Sequence, residues 1–252
     1  MTALTVDKPP AFLVPPKRRA LPEIIADLVA EAIAAQKFAA GERIVETSLA
    51  ATLHVSRVPV REALKILHTQ GIIAGGGHRG YRVASFSPRM VQSVQEARLE
   101  LEVMLLREAV AHWREDGATL ARLDDAIVTM RAAARAEDAP AVLRADIAFH
   151  EVICVAAQNP IFETLWRAIA RHVLIILNLA RFRDIDLGVV VRRHEALRDQ
   201  IADRVARGAM VAELRTLLEL HIQAEREPLA TTEATPARPR ASPRRRAGTS
   251  RS

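Results

Sequence analysis

The sequence predicts a mainly α protein, with an N-terminal winged helix-turn-helix followed by an all-helical antiparallel bundle. Three observations predict it. Residues 44–67, IVETSLAATLHVSRVPVREALKIL, read as a helix, a tight turn and a second helix that opens on arginines. Two short β-like runs, Ile72-Ile73 and Tyr81-Arg82-Val83, then flank a glycine-rich stretch. From 88 to 227 no strand alternation occurs, and the composition is rich in alanine and leucine, with only 6 Phe, 2 Trp and 1 Tyr, which favours helices. A chain of 252 residues has room for two modest domains.

Residues 1–20 hold four prolines and no periodicity, which predicts a disordered lead-in. In Leu21–Lys37 the apolar residues Ile24, Ile25, Leu28, Val29, Ala32 and Ile33 recur at helical spacing and give the first helix of a winged domain over 21–84. Within 44–67, Ile44, Leu49, Leu53, Val55, Val60, Leu64 and Leu67 form an interior. Arg57, Arg61 and Lys65 recur every four residues and share the outer face of the second helix. Ser56 stands as its N-cap and Pro59 falls in its first turn, where a missing N–H costs little. Side chains so placed face a DNA major groove. The following run, Gly75-Gly76-Gly77-His78-Arg79-Gly80, permits the positive φ of a hairpin and puts Arg79 near a wing tip, within reach of phosphates or the minor groove. No Gly-Lys-Ser/Thr follows the triple glycine, so it is not a phosphate-binding loop.

Ser85-Phe86-Ser87-Pro88 is a connector, with Ser87 as cap and Pro88 at the first helical position. A helical domain over 85–227 is expected to hold helices at 88–114, 118–137, 140–157, 160–182, 188–206 and 209–226. Gly117, Pro140, Asn159-Pro160, Gly188 and Gly208 punctuate them. Six such helices with short loops suggest an antiparallel bundle. Residues 228–252, rich in Pro, Arg, Ser and Thr, read as a disordered basic tail that adds non-specific affinity for nucleic acid.

The net charge of +6 lies entirely in the two tails. Lys8, Lys17, Arg18 and Arg19 oppose Asp7 in the first, and six arginines oppose Glu233 in the second, so 21–227 is slightly acidic. DNA affinity must therefore come from local placement of charge. Cys154 is the single cysteine, lies in an apolar stretch and reads as packing, which suits a reducing cytoplasm. The apolar run Val173–Leu179 is too short to span a bilayer, and no membrane association is expected.

Gly41-Glu42-Arg43-Ile44, Glu46-Thr47-Ser48-Leu49-Ala50, Val55-Ser56-Arg57-Val58-Pro59-Val60-Arg61-Glu62-Ala63-Leu64, Gly71 and Arg79-Gly80 together resemble the winged helix-turn-helix of GntR-type bacterial transcription regulators. The resemblance implies DNA contacts from Arg57 and Arg61 on the recognition helix and from Arg79 and Gly80 on the wing. Thr47 stands where many relatives closer to FadR have an arginine, so half-site preference is expected to differ.

In LRADIAFHEVI, Asp146 and His150 are four residues apart, about 40° apart around a helix and one turn along it. Such a pair can share a cation, and two later histidines, His194 and His221, can complete an N₃O set suited to zinc, nickel or another divalent metal. Spacing alone leaves the alternative of a hydrogen-bonded Asp–His pair open. His172 has no partner at helical spacing and reads as an ordinary polar position. The segments Glu96-Ala97-Arg98-Leu99-Glu100-Leu101-Glu102, Asp146-Ile147-Ala148-Phe149-His150, Asn159-Pro160 and His194 with Ala196-Leu197 make residues 88–227 similar to the FCD domain, the helical ligand-binding half of the FadR subfamily. That resemblance implies Asp146, His150, His194 and His221 as metal ligands, with His194 to His221 about one helical turn longer than the common interval. It also implies Arg98 in an effector pocket, where its fork of donors suits a carboxylate. A salt bridge to Glu102 one turn on is equally permitted by the spacing.

The expected protein is a cytoplasmic homodimeric regulator, more often a repressor by resemblance. It would read a pseudo-palindromic operator and answer to a small carboxylate bound at the metal. The rivals are the same regulator with a metal-free dimerisation domain, a general nucleic-acid binder acting through its tail, and a metallohydrolase. The last is disfavoured because no His-Glu-x-x-His pattern occurs.

Overall fold

The computed structural model describes residues 20–76, 80–180, 186–208 and 210–226. The lead-in, Arg79 at the wing tip and the tail lie outside them.

Helix α1 (Leu21–Ala34) starts with Pro22 in its first turn and buries Ile25, Ala26, Val29, Ala30 and Ile33, one stripe at three- and four-residue spacing. The sheet begins at β1 (Arg43–Ile44), followed by α2 (Glu46–Thr52) and α3 (Arg57–Thr69). Helix α3 buries Val60, Ala63, Leu64 and Leu67 and leaves its arginine face to solvent. Ser56 occupies the N-cap position with an extended backbone, but its side chain makes no capping hydrogen bond, contrary to expectation. Strands β2 (Ile73–Gly75) and β3 (Tyr81–Val83) pair antiparallel with Ala74 opposite Arg82, and β1 joins the other edge of β3. The hairpin closes where the Gly76 N–H donates to the Gly80 carbonyl at 2.9 Å. Gly75 must be glycine: its φ is +92° and an added Cβ would stand 2.6 Å from the Gly80 carbonyl oxygen.

The second domain is built on α4 (Pro88–Glu115), 28 residues or about 42 Å long. Ser87 Oγ accepts from the Met90 N–H at 3.2 Å and caps it. The expected helix over 118–137 is a 3₁₀ turn at Gly117–Thr119 and then α5 (Arg122–Arg135). Asp138 Oδ1 accepts from the Ala141 N–H at 2.9 Å and opens α6 (Ala139–Ala156). Asn159 Oδ1 accepts from the N–H groups of Ile161 and Phe162 and opens α7 (Pro160–Ala180). Helix α8 (Leu187–Arg207) starts one residue before Gly188, which therefore lies inside its first turn rather than before it. It ends at Gly208, φ +75°, and α9 (Val211–Arg226) follows. Helix α4 touches α6, α7, α8 and α9, so its buried face meets every helix that later supplies the site. Among the described residues no helix is long and apolar enough to cross a membrane.

The two domains share a core boundary on α7. Ile175, fully buried, belongs to the apolar cluster of the winged domain, together with Ile25, Val29, Leu64 and Ile73.

Candidate functional site

On the winged domain the side chains of Arg57, Arg61 and Lys65 are more than half exposed or nearly so (59%, 50% and 56%) on one face of α3. Glu46, the first residue of α2, gathers the arginines. Arg61 Nε donates to Glu46 Oε2 at 3.2 Å and Arg57 Nη2 stands 3.8 Å from the same oxygen. Lys65 pairs with Glu62 at 2.8 Å. At the wing, Gly80 has φ +71°, and a Cβ there would meet Arg43 Nε at 3.1 Å, so the β1 arginine lies along the wing backbone. Arg43 and Glu46 stand in the motif that carries the family resemblance, but sequence reasoning assigned neither a role. Their part depends on contacts across the turn and across the sheet.

In the helical domain α6 buries Val142, Asp146, Phe149, His150 and Ile153 as one stripe. Two polar residues in that stripe demand partners, because a buried polar group without one is costly. Helices α8 and α9 bring His194 and His221 to the same point, and one ligand atom from each of His150, His194 and His221 lies within 4.8 Å of the others. The carboxylate of Asp146 adjoins two of them, with Oδ2 3.5 Å from His194 Nε2 and Oδ1 3.9 Å from His150 Nε2. All four are buried, and His221, 7% exposed, is turned inward despite its longer interval. His194 donates its Nδ1 proton to the Val190 carbonyl at 2.9 Å, which leaves Nε2 as the lone-pair nitrogen facing Asp146. Ligands about 2.1 Å from a tetrahedral divalent ion stand about 3.4 Å apart, so the three histidines fit one after closing by up to about 1.4 Å.

Two residues of α4 complete the cluster. Arg98, 1% exposed, donates from Nε to Glu102 Oε1 at 2.6 Å and brings Nη2 to 3.1 Å from His150 Nε2. Glu102 Oε2 lies 3.0 Å from His150 Nδ1. Burial alone would raise the Glu102 carboxyl, but Arg98 and then His150 outweigh it and hold it at about 2. Burial would lower His150, yet the charge of Glu102 prevails and raises it. The imidazole of His150 also faces the indole of Trp166 on α7, with ring centroids 5.9 Å apart. The sequence reading found Glu102 only as the possible partner of Arg98 and passed over Trp166.

Five residues beyond Trp166 on α7 the domains are joined by charge. Arg171, 4% exposed, donates from Nε to Asp27 Oδ1 at 2.8 Å and from Nη2 to Glu23, both on α1. His172, expected to be an ordinary polar position, is buried at this junction, its Nε2 3.0 Å from the Gln70 carbonyl at the end of α3. A crevice of about 190 Å³ lies beside this contact, lined by Glu31, Arg144, Ile147, Trp166 and Arg171 among others.

Residues 21–83 match the model of the gntR family of bacterial regulatory proteins, and residues 93–224 match that of the FCD domain. The chain is 26% identical over 177 residues to a probable D-xylose utilization operon transcriptional repressor of Paenarthrobacter nicotinovorans, a match covering 70% of this chain and 76% of that one. It is 31% identical over 127 residues to the gluconate operon transcriptional repressor of Bacillus subtilis, covering 50% of this chain and 51% of that one. The chain thus spans about half the length of some curated relatives it matches. The structure superposes on E. coli McbR/YncC with a TM-score of 0.69 at 18% identity, covering 82% of this chain and 95% of that one, a likeness of fold.

Proposed function

This chain belongs to the GntR family of bacterial regulatory proteins, with an FCD domain, and we propose that it is a cytoplasmic transcription repressor whose operator affinity is set by a small carboxylate bound at a divalent metal. The observation that carries the metal reading is the convergence of His150, His194 and His221, from three helices, with the Asp146 carboxylate beside two of them. Those four residues would hold the ion, zinc or nickel by donor type. Bound there, it would supply a positive centre that a carboxylate can ligate, and Arg98 would give the same ligand a second anchor. Repression agrees with two relatives named as operon repressors, of D-xylose utilization and of gluconate.

On the DNA side Arg57 and Arg61 would read base edges, Lys65 would meet phosphate, and Gly80 with Arg79 would bring the wing backbone and a charge to the duplex. Two copies would place two recognition helices about one helical turn of DNA apart. Coupling between the sites would run along α7, whose Trp166 stands on His150 while Arg171 and His172 hold α1 and the end of α3. A shift of His150 or Trp166 on ligand binding would be felt at the docking of the winged domain, and a coupling of about 1–3 kcal/mol suffices for a regulator.

A metal-free reading has one observation in its favour, the approach of Arg98 Nη2 to the Nε2 nitrogen of His150. Elemental analysis of the full chain, wild type beside His150→Ala, separates the two. About one divalent ion per chain, lost in the variant, is the expected result. No ion in either would leave the DNA-binding reading standing and overturn the metal centre.

A further inference from the structure

Glu102 is fully enclosed, and both of its oxygens face groups that matter to the proposed centre: Oε1 the guanidinium of Arg98 and Oε2 the Nδ1 of His150. A neutral imidazole has one N–H, so an acceptor at Nδ1 sends the lone pair to Nε2. For His194 a backbone carbonyl does this work. For His150 the carboxylate of Glu102 stands 3.0 Å from Nδ1 as an ion-pair contact off the line of a hydrogen bond, and its charge favours the proton on Nδ1 and makes the opposite nitrogen a stronger metal donor.

The buried charges around the cluster are few. They are Arg98, Glu102 and Asp146, besides His150, His194 and His221; the other buried charge among the described residues, Arg171, is paired with Glu23 and Asp27 at the domain junction. Arg98 and Glu102 cancel as an ion pair at 2.6 Å. A divalent ion against Asp146 would then leave a single positive charge in a low-dielectric interior, and an unbalanced buried charge is costly. A monoanion restores neutrality and a dianion overshoots it.

We propose that Glu102 is the positioning residue of the metal centre, orienting His150 through Nδ1, and that by neutralising Arg98 it makes the centre select monocarboxylates over dicarboxylates. This rests on the metal reading above. The residue lies one shell behind the ligands, so it acts through His150 and Arg98 and not on the ion itself.

The test uses the full chain loaded with Co(II), with lactate and malate as probes that share a 2-hydroxy acid and differ by one carboxylate. Wild type is expected to bind Co(II) with a visible spectrum that lactate shifts at lower concentration than malate. Glu102→Gln removes the charge at nearly constant shape. It should weaken Co(II) binding roughly 10- to 100-fold and reverse the preference in favour of malate. Glu102→Asp, which keeps the charge on a shorter arm, should retain the lactate preference with an intermediate loss of affinity, and it stands in if Glu102→Gln does not fold. Wild-type affinity and preference in Glu102→Gln would overturn the proposal. Weakened metal binding with an unchanged lactate preference would overturn the charge selection and leave the orienting role. Absence of Co(II) binding by wild type would defeat the metal reading itself, and with it this inference.

Discussion

The winged and helical domains solve opposite electrostatic problems. On the winged domain, Arg57, Arg61 and Lys65 sit in solvent over an apolar core, paired loosely with Glu46 and Glu62. In the helical domain, Arg98, Glu102, Asp146 and three histidines are enclosed among apolar side chains such as Phe149 and Trp166. Exposed charges contribute little to folding and remain available to a partner. Buried ones must compensate each other before any ligand arrives, and removing one strands the rest. The same residue type is therefore exposed to a partner in one domain and a structural element in the other.

The comparison breaks most sharply at its buried end. Arg98→Leu leaves Glu102 enclosed with only His150 beside its charge, and is expected to cost about 3–5 kcal/mol of folding stability. Urea unfolding of the variant against wild type checks it; a loss under about 1 kcal/mol would mean the cluster is wetter than its burial implies. Arg57→Ala and Arg61→Ala should each leave unfolding unchanged and cost about 1–3 kcal/mol in specific DNA binding. Binding isotherms on a selected duplex at fixed salt read the loss, and unchanged affinity and specificity in both variants would remove α3 from the groove.

The junction on α7 falls between the extremes. Arg171 is buried, but its partners Glu23 and Asp27 are about a third exposed, which screens the pair. Arg171→Met keeps the aliphatic packing and should cost about 1–2 kcal/mol, confined to the docking of the domains. Hydrogen exchange would then rise in α1 and around Gln70 while the core of α4 stays protected. Uniform exchange across both domains would show that they do not move apart as units.

How far each region was legible follows from the reach of its contacts. Helix α3 was plain because Val60, Leu64 and Leu67 point inward and Arg57, Arg61 and Lys65 outward within four turns of one element. Strand β1 was missed: Arg43–Ile44 is too short for a period, and it is a strand only because β3 pairs with it. Ser56 matched the cap pattern, yet no side-chain bond forms, since an extended backbone suffices for the position. The four proposed ligands were found through one helical spacing and a family resemblance. Arg171 bonds across 144 and 148 residues to Asp27 and Glu23, a separation no local pattern encodes.

The smallest expected effect concerns pH, and its sign differs between the partners of the buried cluster. Glu102 is held at about 2, below its ordinary value, so its stabilising contribution is present above about 4.5 and lost as pH falls toward 2. His150 is raised, so its contribution is present below about 6.5 and lost as pH climbs through its folded value. Metal-free protein should therefore melt highest between those limits and lose stability on the alkaline side as His150 deprotonates. Metal binding needs the neutral imidazole, so loading should strengthen over the same alkaline interval. Melting curves of chelator-treated and Co(II)-loaded protein from pH 5 to 8.5 should diverge as pH rises. Parallel curves would mean that His150 does not exchange its proton for the ion, and that the enclosed cluster behaves toward metal as indifferently as the exposed face of α3.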